Sequence, residues 1–101
     1  MFGNLMEEMN AAQEELQRKM DALELSHSFR DGAIRVTLNG QSQITSLDID
    51  PQKVDLSDKD QLEDLLIITL NEALSRLEQM KVELTNDSMK DLLPPGMDGL
   101  F

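Results

Sequence analysis

The sequence has no cysteine, tryptophan or tyrosine, and only three phenylalanines among its 101 residues. Without cysteine, neither a disulfide nor a thiolate metal site can stabilise the chain. A single domain of this length buries only about 60–65% of the surface that its unfolded chain exposes. Because the core is small and poor in aromatic residues, we expect a second copy of the chain to complete it.

Long hydrophobic runs are also missing. The longest nearly apolar stretch, residues 65–70, is far shorter than the roughly 20 residues that span a bilayer. The first eight residues contain no basic residue and include Glu7 and Glu8, which argues against a secretory signal. We therefore expect a cytoplasmic protein.

Basic residues are scarce, with nine Lys and Arg against twenty Asp and Glu, and the net charge is −11. Residues 1–25 hold six acids and two bases, residues 26–54 three of each, and residues 55–101 eleven acids and four bases. Such a surface repels phosphate at long range. Since charges are screened over about 8 Å at physiological salt, a local basic cluster can still contact an anion.

The first segment, residues 4–24, is predicted to be an amphipathic helix. Its apolar residues recur at spacings of three and four, which forms one narrow stripe similar to a coiled-coil seam. The stripe consists of Leu5, Met9, Ala12, Leu16, Met20 and Leu23.

The period changes to two after Leu23, which predicts strands with one buried face. Asp31-Gly32 and Asn39-Gly40 are typical hairpin turns, so three strands are expected to form an antiparallel meander that ends before Pro51. Ile44 breaks the alternation of the third strand, which predicts either a bulge or a later start of that strand.

A long second helix follows, with Ser57 as its predicted N-cap and Pro94 as its end. The fold class is therefore α+β, with an N-terminal helix, a three-stranded meander and a long C-terminal helix. A strict heptad seam runs along that helix and is predicted to form the dimer interface. The predicted interface residues are Leu66, Leu70, Ala73, Leu77 and Met80.

This order of elements resembles the YbaB/EbfC family of bacterial nucleoid-associated proteins. The resemblance rests on Met1-Phe2-Gly3 and on the runs at 34–40 (IRVTLNG), 44–51 (ITSLDIDP), 62–74 (LEDLLIITLNEAL) and 93–97 (LPPGM). It implies one domain over residues 1–93, and the Pro94-Pro95-Gly96 run predicts a flexible tail at 94–101. The resemblance also implies a homodimer with two projecting helical prongs, which binds duplex DNA in the nucleoid with little sequence preference.

Phosphate contacts by such a protein depend on Lys and Arg, and the resemblance places them on the prongs, at Arg18, Lys19, Arg76 and Lys81. A structural explanation competes with this one, because an acidic residue lies three or four positions before each of them. Ordinary intrahelical ion pairs at this spacing contribute about 0.2–0.5 kcal/mol each. Arg76 and Lys81 are also about 140° apart around a helix, so they do not form one patch.

Enzymatic chemistry has little support in the sequence. His27, the single histidine, lies on the apolar face of a strand and is expected to be packed there. The acidic residues between Asp48 and Asp60 lack the spacing and the glycine of a calcium loop, so no metal or cofactor is expected. The alternative function is an acidic homodimeric scaffold that binds another protein, without significant DNA binding and without membrane or small-molecule partners.

Overall fold

The computed structural model describes the backbone of residues 2–91 and the side chains of residues 4–90. The α+β class and the predicted element order are confirmed. The predicted tail at 94–101 lies outside the described residues. The elements are α1 (Phe2–Asp21), β1 (Glu24–Phe29), β2 (Ile34–Asn39), β3 (Ile44–Ile49) and α2 (Lys59–Asp91).

The three strands form an antiparallel sheet in the order β1-β2-β3. Thr37 of β2 is opposite Ser46 of β3, whereas Leu38 is opposite Ile44, so Thr45 is the extra residue of a bulge. The sequence left a bulge and a late start open as explanations of Ile44, and the bulge is the one found. Ile44 thereby points to the same face of the sheet as Leu38.

Both hairpin turns are wider than the two-residue turns predicted. The β1–β2 connection spans residues 30–33, and Arg30, Asp31 and Gly32 all have positive φ, at 43°, 44° and 88°. The β2–β3 connection spans residues 40–43, where the side-chain oxygen of Asn39 accepts hydrogen bonds from two backbone N–H groups. The first turn is wider because residues other than glycine also adopt a left-handed conformation there. The second is wider because the Asn39 side chain forms Asx-type hydrogen bonds across it.

The start of α2 corrects the predicted N-cap. Asp58 is the capping residue, because its carboxylate accepts a hydrogen bond of 3.1 Å from the backbone N–H of Gln61. Ser57 instead donates its hydroxyl and its N–H to Asp55. These hydrogen bonds lower the pKa of the Asp55 carboxyl from its usual value.

The core lies between α2 and the first two strands. Val36 and Leu38 of β2 are fully buried against Ala73 and Leu77 of α2, with Leu70 packed beside them. Two residues of the predicted dimer seam, Ala73 and Leu77, therefore have no surface left for a second copy of the chain. An amphipathic helix buries its apolar stripe on the nearest apolar face, and here that face is its own sheet.

Beyond the sheet, α1 and the C-terminal part of α2 run side by side in opposite directions. Met20 lies beside Lys81 and Val82, and Leu16 lies beside Met89. We call α1 together with residues 75–91 of α2 the prong. It accounts for the elongated shape of the protomer, which measures 67 × 25 × 17 Å. Within residues 2–91, neither helix has the length of apolar sequence that a membrane span requires.

Candidate nucleic-acid interface

The four basic residues predicted to contact phosphate all lie at the root of the prong, where the helices leave the sheet. Arg18 and Lys19 occupy the last turn of α1. That turn is held against the β2–β3 connection by close packing of the Met20 carbonyl on Gly40. Arg76 lies beside Leu25 near the start of β1, and Lys81 reaches Ser42 in the β2–β3 connection, so both lie at the end of the sheet where the prong begins.

Arg18 is the one residue of the four that forms an intrahelical ion pair within residues 4–90. Its partner is Glu15, three positions before it, and the side chain remains 74% exposed. The Arg18 guanidinium donates a hydrogen bond to Glu15 and so lowers the pKa of that carboxyl. The predicted partner Glu14 does not pair with Arg18.

The other three basic residues do not form the ion pairs that the sequence predicted. Glu72 is hydrogen-bonded to the buried His27, with 2.8 Å between Oε2 and Nε2, instead of pairing with Arg76. The ammonium of Lys81 donates a hydrogen bond of 3.1 Å to the Ser42 hydroxyl. Within the part of the chain that the structure describes, Lys19, Arg76 and Lys81 have no carboxylate within 4.0 Å.

These cations do not merge into a single patch on one protomer. Arg76 lies on the β1 side of α2, beside Leu25. Lys81 lies on the opposite, β3 side, where it reaches Ser42 in the β2–β3 connection. The angular separation predicted from the helical period is therefore confirmed, and any anion bridging both must extend around α2.

The prong as a whole is acidic. Helix α1 carries five acidic and two basic residues, and residues 75–91 of α2 carry four acidic and three basic residues. A phosphate approaching the prong is therefore attracted only within a few ångströms of a basic side chain, since screening limits the range of each charge. The arrangement suits a few local phosphate contacts and does not suit a broad electrostatic groove.

His27 is packed as predicted. It is buried in the sheet beneath α2, with 8% of its surface exposed, and Glu72 satisfies its ring nitrogen. No nucleophile accompanies it in the geometry that a catalytic triad requires, among the side-chain hydrogen bonds of residues 4–90. The described side chains also contain no cluster of three or more acidic or histidine groups that could hold a metal ion.

A second surface was not predicted from the sequence. Among residues 2–91, α2 packs mainly on β1 and β2, and the inward-facing side chains of β3 are left exposed. Leu47, opposite the buried Val36, is 48% exposed, and Ile44 is 53% exposed. The adjoining flank of α2 exposes two further apolar side chains, Ile67 and Leu74. We call Ile44, Leu47, Ile67 and Leu74 together the β3 apolar surface.

Helical spacing shows that the α2 members of this surface face β3. Leu74 lies seven residues before Lys81 and seven after Ile67, so all three share one side of the helix. Since Lys81 reaches Ser42 in the connection to β3, that side borders β3. The alternation of β3 predicted that its alternating apolar side chains share one face of the sheet. Which strand α2 leaves exposed on that face depends on the packing.

Comparison with known proteins places the chain in a family. The model of the YbaB/EbfC DNA-binding family matches residues 1–92. The chain belongs to that family. The predicted resemblance is thereby confirmed over nearly the whole sequence.

Several relatives of this YbaB/EbfC-family chain have similar length. A nucleoid-associated protein of Granulibacter bethesdensis is 35% identical over 89% of this chain and 85% of its own. A nucleoid-associated protein of Koribacter versatilis is 35% identical over 92% of this chain and 95% of its own. An uncharacterized protein of Mycoplasma genitalium, MG134, is 33% identical over 99% of this chain and 98% of its own.

The fold of this YbaB/EbfC-family chain also matches a solved structure. The crystal structure of the uncharacterized protein HP0035 from Helicobacter pylori aligns with a TM-score of 0.70 at 23% identity. The alignment covers 87% of this chain and 92% of that one. The helix–meander–helix arrangement is thus a shared architecture.

Proposed function

We propose that the chain is a homodimeric, cytoplasmic nucleoid-associated protein that binds duplex DNA with little sequence preference. The observation that carries the proposal is the absence of carboxylate partners for Lys19, Arg76 and Lys81 within residues 4–90. Unpaired cations can neutralise phosphates and release counterions, which is the main source of sequence-independent affinity for DNA. Family membership and the names of the two nucleoid-associated relatives support the same function.

Few contacts and an acidic background make this binding weak and dependent on salt. Each neutralised phosphate contributes about 0.9 to the slope of log affinity against log salt concentration. Lys19 and Arg76 are both exposed, so a duplex can reach them without rearrangement of the prong. We propose no base readout, because the contacts we assign are made by cations to the DNA backbone.

Dimerisation is the second part of the proposal, and the β3 apolar surface supports it. A sheet strand with its inward face open and an adjoining apolar helix flank is incomplete as a monomer core. A second copy has the same surface, so a two-fold arrangement can cover both at once. The dimer then presents two prongs, each with its own set of root cations.

Fluorescence anisotropy with a labelled duplex tests the DNA-binding part. We expect binding at 50 mM salt that falls steeply by 200 mM, with similar affinity for duplexes of unrelated sequence. Arg76→Gln should make the salt slope shallower by about one, because one phosphate is no longer neutralised. Lys59→Gln is the matched control, because Lys59 is already paired with Glu63. Absence of any duplex binding at 50 mM salt by the unmodified protein would overturn the proposal.

A protein-binding scaffold is the second candidate, and one observation favours it. Leu5, Met6 and Met9 of α1 are 53%, 66% and 48% exposed, which gives the prong an apolar strip on an acidic background. Such a strip suits a partner with an apolar, basic helix. If duplex binding is absent while Met6→Glu abolishes capture of a defined partner from cell extract, this function replaces DNA binding.

A further inference from the structure

The β1–β2 turn gathers basic side chains that the predicted interface did not include. Arg30 lies in the turn, Arg35 follows it on β2, and Lys53 comes from the loop after β3. The ammonium of Lys53 donates a hydrogen bond to the Asp31 carbonyl. The Arg35 guanidinium lies against Gly32, 3.6 Å from the position that a Cβ would take there. We call Arg30, Arg35 and Lys53 the turn cations.

The turn cations are held in place, but not by carboxylates. The Arg30 guanidinium lies over the Phe29 ring, 5.1 Å from its centre. Arg35 donates a hydrogen bond of 3.3 Å to the Ser28 hydroxyl. Among the ion pairs of residues 4–90, none includes a turn cation. Fixed cations that keep their charge lose little conformational freedom when an anion binds.

The three acids of residues 26–54 also lie in or beside the turn, with Asp31 in it, Asp48 opposite Arg35 and Asp50 bonded to the Ala33 carbonyl, so the local charge is balanced. Residues 26–54 contain three basic and three acidic residues, whereas both helices have an excess of acid. The face of the sheet away from α2 continues from the turn with small hydroxyl side chains. Ser26, Ser28, Thr37 and Ser46 lie on that face, in register with Arg35. Hydroxyl groups of this kind commonly donate hydrogen bonds to phosphate oxygens.

We propose that the turn cations, with the hydroxyl-bearing outer face of the sheet, form a second phosphate-contacting surface for duplex DNA. This inference rests on the proposed function but assigns contacts outside the prong. The turn lies at the opposite end of β2 from Gly40, where the prong begins. The length of β2 separates the two regions by about 17 Å. Phosphates bound at the turn are therefore additional to those that the prong root contacts.

Removing two turn cations tests the surface in the full-length protein. Arg30→Gln with Arg35→Gln should weaken duplex binding by roughly tenfold at 50 mM salt. The salt slope should become shallower by about 1.8, because two phosphates are no longer neutralised. Lys59→Glu is the control, because it changes the net charge by the same amount at the start of α2. Equal weakening by the control would show a general charge effect and overturn the inference.

A gain of affinity provides a test that misfolding cannot imitate. Asp48 is exposed and opposite Arg35 in the register of β2 and β3, so it opposes the positive charge there. Asp48→Asn should tighten duplex binding by about two- to fivefold at 50 mM salt, consistent with one nearby charge in screened solvent. Asp64→Asn, an exposed acid on α2, should leave affinity unchanged.

The outcomes separate this inference from the proposed function. If the unmodified protein binds duplex and the Arg30→Gln, Arg35→Gln double variant has the same affinity and salt slope, the turn surface alone is overturned. Unmodified protein without duplex binding overturns both. Loss of affinity in the double variant together with gain in Asp48→Asn establishes the turn surface.

Discussion

At the scale of single residues, Gly40 shows why a sequence pattern can be right for another reason than the one inferred. The Asn39-Gly40 pair is typical of a turn with positive φ, yet the positive φ in this connection belongs to Ser42, at 62°. Gly40 is required because a Cβ there would lie 1.8 Å from the Met20 carbonyl oxygen. The close approach joins the end of α1 to the sheet.

We expect Gly40→Ala to destabilise the protein by about 1–3 kcal/mol, because backbone atoms must move apart to admit the methyl group. For a domain of this size, the melting temperature falls by roughly 4–8 °C for each kcal/mol. Gly32→Asn is a suitable control, since Asn tolerates positive φ and the nearest atom to a Cβ at Gly32 is 3.6 Å away. An unchanged melting temperature for Gly40→Ala in thermal denaturation would show that α1 is not held there.

The basic residues at the prong root show a second limit of prediction from the sequence at the scale of single residues. Intrahelical spacing predicted an ion pair for each of the four, but only Arg18 forms one within residues 4–90, and its partner is Glu15 instead of Glu14. The spacing could not show that Glu72 would bind His27, 45 residues away, or that Lys81 would reach Ser42. Each competing partner comes from another element, so it is determined only when the elements pack.

At the scale of elements, α2 performs two functions along its 33 residues. Its middle part covers β1 and β2 with Ala73 and Leu77, and its last part continues past the sheet into the prong. The heptad seam is therefore real as a pattern. Its central residues pack inside the protomer, and replacing Leu70 and Leu77 by Glu should unfold the protomer instead of dissociating a dimer.

We expect Leu77→Ala to cost about 2–5 kcal/mol of unfolding free energy, because it leaves a cavity beneath α2. Val82→Ala is the matched control on the same helix, since Val82 is 50% exposed. Urea denaturation measures both, and the control should change the midpoint little. A similar destabilisation of the two variants would contradict the packing of α2 on the sheet.

At the scale of the whole molecule, the protomer has a covered half and an open half. Its elongated shape and the uncovered β3 leave apolar side chains in water, although the chain is strongly charged. Contiguous exposed apolar patches on a soluble protein typically mark interfaces. A dimer through the β3 apolar surface would cover them without using the buried part of the heptad seam.

Light scattering coupled to size exclusion tests this arrangement. Unmodified protein at micromolar concentration should have twice the 11.4 kDa mass of the chain. Leu47→Asp with Leu74→Asp should have the mass of one chain, because each substitution places a charge in the desolvated interface. Val82→Asp, at a similarly exposed position on α2, should remain dimeric. A single-chain mass for the unmodified protein would overturn the dimer itself.

The sequence alone predicts the class and the order of the elements correctly, whereas their ends differ by two or three residues, as for α1, predicted over 4–24 and found over Phe2–Asp21. Periods of 3.6 and 2 residues are local properties, and each stripe in residues 4–24 or 34–38 predicts its own element independently of the rest. It also determined the family, through the runs at 34–40, 44–51 and 62–74.

Which apolar faces meet depends on the packing between elements. An apolar stripe on α2 suits its own sheet and a second copy equally well, and the choice depends on the position of α2 over β1 and β2. The same packing left Arg76 unpaired, because Glu72, four residues before it, is bound by His27 of another element. Local patterns specify which side chains of an element can be buried or can bind, whereas the geometry between elements specifies which residues they contact.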